Sequence, residues 1–176
     1  MEIVSIFEPY LYSFKYSDEE FDELERLFDE WNDIELLRNF FEENSKDLSY
    51  YHIDIDNAII ETRKEAAALR NKFIDLSLES SPNLDSMFRN LDDSDLRIFN
   101  MSKQKSRRRW LRIYAIRIDT NTYVITGGAI KLTHQMEIKK GGRPHTEKEL
   151  NKLDICKNYL KENGVYDADS FNELVI

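Results

Sequence analysis

The sequence predicts one α+β domain over residues 1–176, because segments with strand character and segments with helical periodicity occur in turn along the chain. Residues 3–14 are rich in β-formers, and apolar residues recur at helical spacing through most of residues 17–78. Residues 110–132 then show two strand-like runs around a short polar turn. Apolar residues fill 41% of the 176 positions, which is enough to bury a core.

The first half is predicted as an opening strand region followed by helices. Residues 3–14 carry β-branched and aromatic side chains and form the strand region. Ser17 and Glu20 make a capping box for a first helix, and Asn32 or Asp33 can cap a second. These two helices are expected to form an antiparallel or bent pair whose outer faces carry most of the acidic charge.

An alanine-rich third helix is predicted from residue 56 to residue 78, with core and solvent positions alternating along it. The polar residues 80–83 end this helix, and residues 84–91 are predicted as one short packed turn. The sequence contains no internal repeat and no linker rich in Gly and Ser, so no domain boundary is expected.

The second half predicts a hairpin and a helix. Residues 110–118 read as one strand, residues 119–122 as its turn and residues 123–132 as the return strand. Gly127 and Gly128 interrupt the return strand, which indicates a bulge or a close backbone approach.

A basic loop then leads into the last long helix. Thr146 and Glu149 form a second capping box, and Gly164 is a left-handed C-terminal cap. Residues 167–176 are predicted as one last helical turn that docks back on the domain.

The net charge of −9 conceals a division of charge between the two halves. Residues 1–100 carry a net charge of −15, and residues 101–176 carry a net charge of +6. Residues 103–148 hold twelve basic and only three acidic side chains. Two interpretations stay open: the basic face complements the acidic half of its own fold, or it binds a polyanion.

Several classes of function lack support in the sequence. Cys156 is the only cysteine, so no disulfide forms within the chain, which suits a cytoplasmic protein. No apolar run approaches a membrane span, and no secretory signal is visible. No Walker or Rossmann glycine pattern and no zinc-ligand spacing occurs, so we expect no metal and no cofactor.

Three segments resemble the RelE/ParE toxin superfamily, and its HigB-like branch most of all. They are NLDSMFRNL (residues 83–91), WLRIYAIR (110–117) and VITGGAIKLT (124–133). The resemblance implies a small twisted antiparallel sheet with helices packed on one face, here with extended N-terminal helices. It also implies metal-independent mRNA cleavage, commonly on the ribosome, and neutralisation by a cognate antitoxin protein. Members of the ParE branch poison gyrase instead.

The resemblance also suggests site residues. Arg112 falls where the family places a strand arginine that faces the RNA phosphate, and Lys131 falls near its basic residue at the end of the last strand. His134, Lys139, Lys140, Arg143 and His145 match by region only.

RNA cleavage needs cations for the phosphorane charge and groups that transfer protons. Arg112 and Lys131 suit the first need, and His134 and His145 suit the second, because histidine titrates near neutrality. Strand alternation places Arg112 and Tyr114 on a concave, solvent-facing side, which makes Tyr114 a further candidate. The alternatives are an ion-paired strand arginine, a packing tyrosine, a solvated lysine and ordinary loop or capping histidines.

Further basic residues are predicted to track an RNA backbone. They are Lys103, Lys105, Arg107, Arg108, Arg109, Arg117, Lys139, Lys140 and Arg143. The alternative for the 103–109 run is a solvated loop. Trp110, which follows this run, either stacks on a base or lies in the core.

The sequence therefore leaves three hypotheses. The first is the toxin of a toxin–antitoxin pair that cleaves mRNA. The second is a non-catalytic module that uses the same fold to bind nucleic acid or protein, and the third is a ParE-like gyrase inhibitor. Whether a proton-transfer group lies within reach of Arg112 separates the first two.

Overall fold

The computed structural model describes residues 1–92, 97–101 and 110–175. The strands of these residues are β1 (Glu2–Phe7), β2 (Leu11–Lys15), β3 (Phe88–Asp92), β4 (Arg97–Met101), β5 (Leu111–Asp119) and β6 (Thr122–Ile130). Their α-helices are α1 (Glu23–Asn32), α2 (Ile34–Glu43), α3 (Ser45–Ser49), α4 (Ile55–Ser77), α5 (Pro144–Glu162) and α6 (Ala168–Val175). Short 3₁₀ turns occupy Leu84–Ser86 and Ile138–Lys140. The predicted α+β class is confirmed.

The strands form one mixed sheet in the order β1-β2-β6-β5-β4-β3. Neighbouring strands are antiparallel except that β2 runs parallel to β6, with Leu11, Tyr12 and Ser13 beside Tyr123, Val124 and Ile125. The expectation of an antiparallel sheet is therefore wrong. The long stretch of chain between β2 and β6 contains helices and three other strands, and such a crossover is what parallel pairing requires.

Helices cover both faces of the sheet, so the expectation of helices on one face is also wrong. One face packs Leu11, Ile113 and Ile125 against α1, α2 and α4. The other packs Tyr114 and Phe14 against α5 and α6. A strand covered on both sides is apolar at successive positions, and β5 shows this from Ile113 to Ile116.

The helix boundaries follow from their caps, and two predicted capping boxes are displaced. Helix α1 begins at Glu23, so the carboxylate of Asp22, and not Ser17, accepts its first free N–H groups, and the Ser17 hydroxyl accepts from the chain's amino terminus. Asp33 caps α2 as predicted. The N-cap of α5 is Arg143, and the hydroxyl of Thr146 accepts from its backbone N–H at 3.2 Å.

The remaining predictions in the helical regions agree closely with the structure. Helix α4 starts and ends within one residue of the predicted limits of 56 and 78. Gly164 follows α5 with a φ of 78°, and α6 docks through Phe171, as expected. The short helix α3 and the strand β3 were not anticipated, and β3 covers part of the predicted packed turn at residues 84–91. None of the helices in the described residues has an apolar stretch long enough to cross a bilayer.

The β5–β6 hairpin contains the bulge that the paired glycines predict. Tyr114 lies opposite Gly127 while Ala115 lies opposite Ile125, so Thr126 is the extra residue on β6. A close approach follows the bulge, because a β-carbon on Gly128 would lie 2.5 Å from the carbonyl oxygen of Arg112. The bulge lies between the part of β6 that pairs with β2 and the part that carries the candidate site.

Candidate nucleic-acid interface

Arg112 and Lys131 lie near each other at one end of the hairpin. Lys131 follows β6 directly, and its backbone N–H donates to the carbonyl of Trp110 at 2.9 Å. Burial lowers the pKa of Lys131, and the positive charge of Arg112 lowers this pKa further. Arg112 Nη1 donates to the carbonyl of Leu111 at 2.8 Å, and Lys131 Nζ donates to that of His134 at 2.7 Å.

No carboxylate among the described residues forms an ion pair with either side chain. The alternative in which Arg112 is bound by an acidic helix therefore finds no support in this part of the chain. Both side chains are only half-exposed. The structure thus places two cations side by side, partly out of water, with carbonyl groups as their described partners.

A hollow of about 940 Å³ begins at Leu132, the residue that follows Lys131, although neither Arg112 nor Lys131 is among its lining residues. One wall of this hollow consists of Tyr50, Tyr51 and His52, which follow α3, and the other wall is formed by residues of the 132–143 segment. We call this hollow the hairpin hollow. The Tyr51 hydroxyl donates to the carbonyl of Leu132 at 2.9 Å and so ties the two walls together. The ring of Tyr50 is 81% exposed, which leaves it available for stacking.

Three predicted residues line the hairpin hollow, although two of their charges are already compensated. These residues are His134, Lys140 and Arg143. Arg143 forms a bidentate pair with the buried carboxylate of Asp47, with both nitrogen–oxygen distances at 2.6 Å. Lys140 Nζ lies 3.0 Å from a carboxylate oxygen of Glu137.

The three candidate proton-transfer residues have different environments. His134 is exposed beside Lys131. His145 is half-buried, with Nε2 2.9 Å from the carbonyl oxygen of Ile130 and its ring packed edge-on against Phe40. Burial disfavours the charged form of the His145 ring and so lowers the pKa of His145. Its side chain faces another cleft, so it does not line the hairpin hollow.

Tyr114 does not face solvent, which corrects the sequence prediction. Its side chain is 0% exposed and lies in the apolar cluster beneath α5 and α6. Burial raises the pKa of its hydroxyl. The period-2 pattern assigned the correct face, but that face is covered by helices. Tyr114 is therefore a packing aromatic that cannot contact a bound RNA.

Among the described residues, Arg117 and Lys139 do not join this site. Arg117 lies near the opposite end of the hairpin, where Nη2 is 2.9 Å from a carboxylate oxygen of Asp85. Lys139 is exposed on the 3₁₀ turn. The predictions for Lys103, Lys105, Arg107, Arg108 and Arg109 lie outside the described residues. Trp110 is 0% exposed and belongs to the core, which was the alternative to stacking on a base.

Sequence reasoning missed one wall of the hairpin hollow. Tyr50, Tyr51 and His52 lie in the acidic half of the chain, about 80 residues before the segment that they face. His52 has a positive φ of 52°, but no pattern in the sequence predicts this backbone conformation.

Comparison of the chain with protein-family models, with curated proteins and with solved structures finds no match. The described residues also contain no group of three or more His, Cys, Asp or Glu side chains arranged to hold a metal ion.

Proposed function

We propose that this chain is an RNA-binding protein that holds a backbone phosphate between Arg112 and Lys131, at the rim of the hairpin hollow. The observation that carries the proposal is the pair of adjacent, half-buried cations without a carboxylate partner in the described residues. Two like charges repel each other, and a phosphate placed between them would attract both cations and so offset this repulsion. In this proposal the protein acts in the cytoplasm, and its fold is a divergent RelE/ParE-like one that has gained a parallel strand pair and helices on the second face of the sheet.

The surroundings of the pair suit single-stranded RNA. Arginine offers a planar fork of donors that matches a phosphate, and lysine adds a point charge. The exposed ring of Tyr50 can stack on an unpaired base within the hairpin hollow. The basic run of residues 103–109 immediately precedes Trp110 in the chain, which brings more positive charge to the start of β5.

The proposal has two forms, RNA binding alone and RNA binding followed by cleavage, and the described residues favour binding alone. Tyr114 is buried, and His145 is turned toward a backbone carbonyl in another cleft. His134 is therefore the one predicted proton-transfer residue that stays open beside Lys131. A toxin that cleaves mRNA, with a cognate antitoxin, remains the second candidate on the strength of this single histidine.

Affinity for a fluorescein-labelled single-stranded RNA, measured by fluorescence anisotropy, tests the proposal. We expect Arg112→Gln and Lys131→Gln each to weaken binding about tenfold. Arg117→Gln is the matched control, because it removes the same charge from the same strand at its other end. Equal losses in Arg112→Gln and Arg117→Gln, or no binding by the native protein at low salt, would overturn the proposal.

Induction of the chain in bacterial cells separates binding from cleavage. RNA binding in vitro without growth arrest or transcript cleavage supports the binding module. Growth arrest with cleaved transcripts, both lost in His134→Ala, supports the toxin instead. Arrest with damaged DNA and intact transcripts supports the gyrase inhibitor and contradicts both RNA-directed forms.

A further inference from the structure

A second cleft, of about 690 Å³, lies along the edge of β6. Strand β2 pairs with β6 only as far as Ile125, and no other described strand covers this edge beyond the bulge. Helices α1 and α2 form one wall of the cleft and α5 forms the other, with Gly128, Ala129 and Ile130 between them. We call this the β6-edge cleft, and it shares none of its lining residues with the hairpin hollow.

A network of buried ion pairs lies in this cleft. Glu23 is 1% exposed and accepts from Arg26 Nε at 2.9 Å and Arg26 Nη2 at 2.7 Å. Lys152 Nζ lies 2.9 Å from Glu23 Oε2 and 3.4 Å from Glu149 Oε1. Arg26 also pairs with Glu30. The partly buried cations Arg26 and Lys152 are therefore already bound by carboxylates of the chain itself.

One carboxylate oxygen of Glu149 has no hydrogen-bond partner in the described part of the chain. This residue is 5% exposed, and its Oε2 atom is buried without any hydrogen-bond partner. A β-carbon on Gly127 would lie 2.0 Å from that oxygen and 3.1 Å from Glu23 Oε2, so both carboxylates pack directly against this glycine. An unpartnered buried acceptor is costly, and this one belongs to a side chain that lines the β6-edge cleft.

The second unpartnered atom among the described residues lies close by. The Tyr114 hydroxyl is buried without a partner, and the charge of Glu149 contributes to the raised pKa of this tyrosine. Two buried polar groups that lack hydrogen-bond partners thus interact electrostatically with each other. A ligand group with several N–H donors would supply what Glu149 lacks.

We propose that the β6-edge cleft binds a small molecule that carries a protonated amine next to an apolar chain, with the amine donating to Glu149 Oε2. An anion is disfavoured because Arg26 and Lys152 are occupied and the orphaned atom is an acceptor. The apolar chain would lie against Leu36, which is 51% exposed on the cleft wall, and against Phe40. At the rim, the exposed side chains of Glu19 and Lys148 offset each other in charge.

Amine binding and protonation of Glu149 compete for the same oxygen. Burial raises the pKa of Glu149 to about 7, with Lys152 opposing the rise and Glu23 adding to it. The charged and titratable groups that face Glu149 are Glu23 and Arg26 of α1, Tyr16 after β2, Tyr114 of β5, and Lys152 and Cys156 of α5. Amine affinity is therefore expected to rise with pH between 5.5 and 8, by roughly tenfold or more.

Titration with hexylamine, followed through the amide resonances of Gly127 and Gly128 by NMR, tests the proposal. Hexanol and hexanoate are the matched probes, since they keep the alkyl chain and change only the head group. We expect saturable shifts with hexylamine alone, and at least tenfold weaker binding in Glu149→Gln, which keeps the shape of the side chain. Glu162→Gln, an exposed change on the same helix, should bind like the native protein.

A second variant keeps the proposal testable if Glu149→Gln fails to fold. Leu36→Lys adds a positive charge at an exposed position of the cleft wall and should also weaken hexylamine binding. Hexylamine binding that is equal in Glu149→Gln and the native protein would overturn the proposal, as would tighter binding of hexanoate. The absence of saturable shifts at pH 8 would overturn it as well. None of these outcomes depends on whether the chain binds RNA.

Discussion

Glu149 is a carboxylic acid held almost entirely out of water, and its pKa of about 7 places its charge change near neutral pH. Because the folded-state pKa is raised above the ordinary value, the folded protein binds this proton more tightly than the unfolded chain does. The stability that results is complete below the ordinary pKa of a glutamate. It is lost progressively as pH rises through about 7.

Replacement of Glu149 by glutamine should remove this dependence. Between pH 5 and pH 8 we expect the free energy of unfolding of the native protein to fall by about 2 kcal/mol relative to that of Glu149→Gln. Urea denaturation at both pH values measures the difference. Glu162→Gln, on the exposed side of α5, serves as the control. A difference between native protein and Glu149→Gln that does not change with pH would contradict this reading.

Sequence reasoning identified Glu149 only as part of a capping box with Thr146. The spacing is real, but Thr146 occupies the third position of α5, and Glu149 therefore lies one turn further along, where it contacts Gly127 and Lys152 instead of capping. Its raised pKa depends on burial against Gly127 and Glu23, which are distant in sequence. The family resemblance suggested Arg112 and Lys131, and the predicted hairpin brings these two residues together by local pairing rules.

Among the elements, the hairpin and α4 are joined through Trp110. Its indole Nε1 donates to Thr62 Oγ1 at 2.9 Å, and its ring meets the rings of Phe41 and Tyr51 edge-on at centroid distances of 5.6 and 5.3 Å. This contact holds the start of β5, and with it Arg112, against the wall that carries Tyr51. The positions of the cations thus depend on a buried aromatic cluster.

Trp110→Phe should lower the free energy of unfolding by about 1–3 kcal/mol, because it opens a cavity and removes the hydrogen bond to Thr62. Trp31→Phe is a matched control, since Trp31 is also buried but has no side-chain hydrogen bond among the described contacts, and its cost should be smaller. Chemical denaturation measures both. A Trp110→Phe protein of native stability that fails to bind RNA would contradict the core assignment and support stacking on a base.

Element by element, local signals predicted the helices and the hairpin well. Asp33 and Gly164 were recognised as caps because capping depends on residues within one turn. The strands β3 and β4 were missed because short segments with charged and polar residues lack the alternation that identifies a strand. The parallel pairing of β2 with β6 joins residues more than 100 positions apart, which no local pattern encodes.

At the scale of the whole molecule, ion pairs between the two halves partly explain why residues 1–100 are acidic and residues 101–176 are basic. Some basic side chains of the second half are bound by acidic residues of the first, as in the pairs Arg143–Asp47, Arg117–Asp85 and Lys152–Glu23. The interpretation in which the basic half complements its own acidic half is therefore correct for these three. Arg112 and Lys131 have no such described partner, which distinguishes the proposed phosphate site from the rest of the basic surface.

The salt dependence of RNA affinity tests this distinction most directly. Each phosphate of a single strand that the protein neutralises contributes about 0.7 to the slope of log affinity against log salt concentration. Because Arg112 and Lys131 share one phosphate in this proposal, we expect the double variant Arg112→Gln/Lys131→Gln to reduce the slope by about 0.7, and Arg117→Gln to leave it unchanged. An unchanged slope in the double variant would contradict the account, because it would mean that these two cations contact no phosphate.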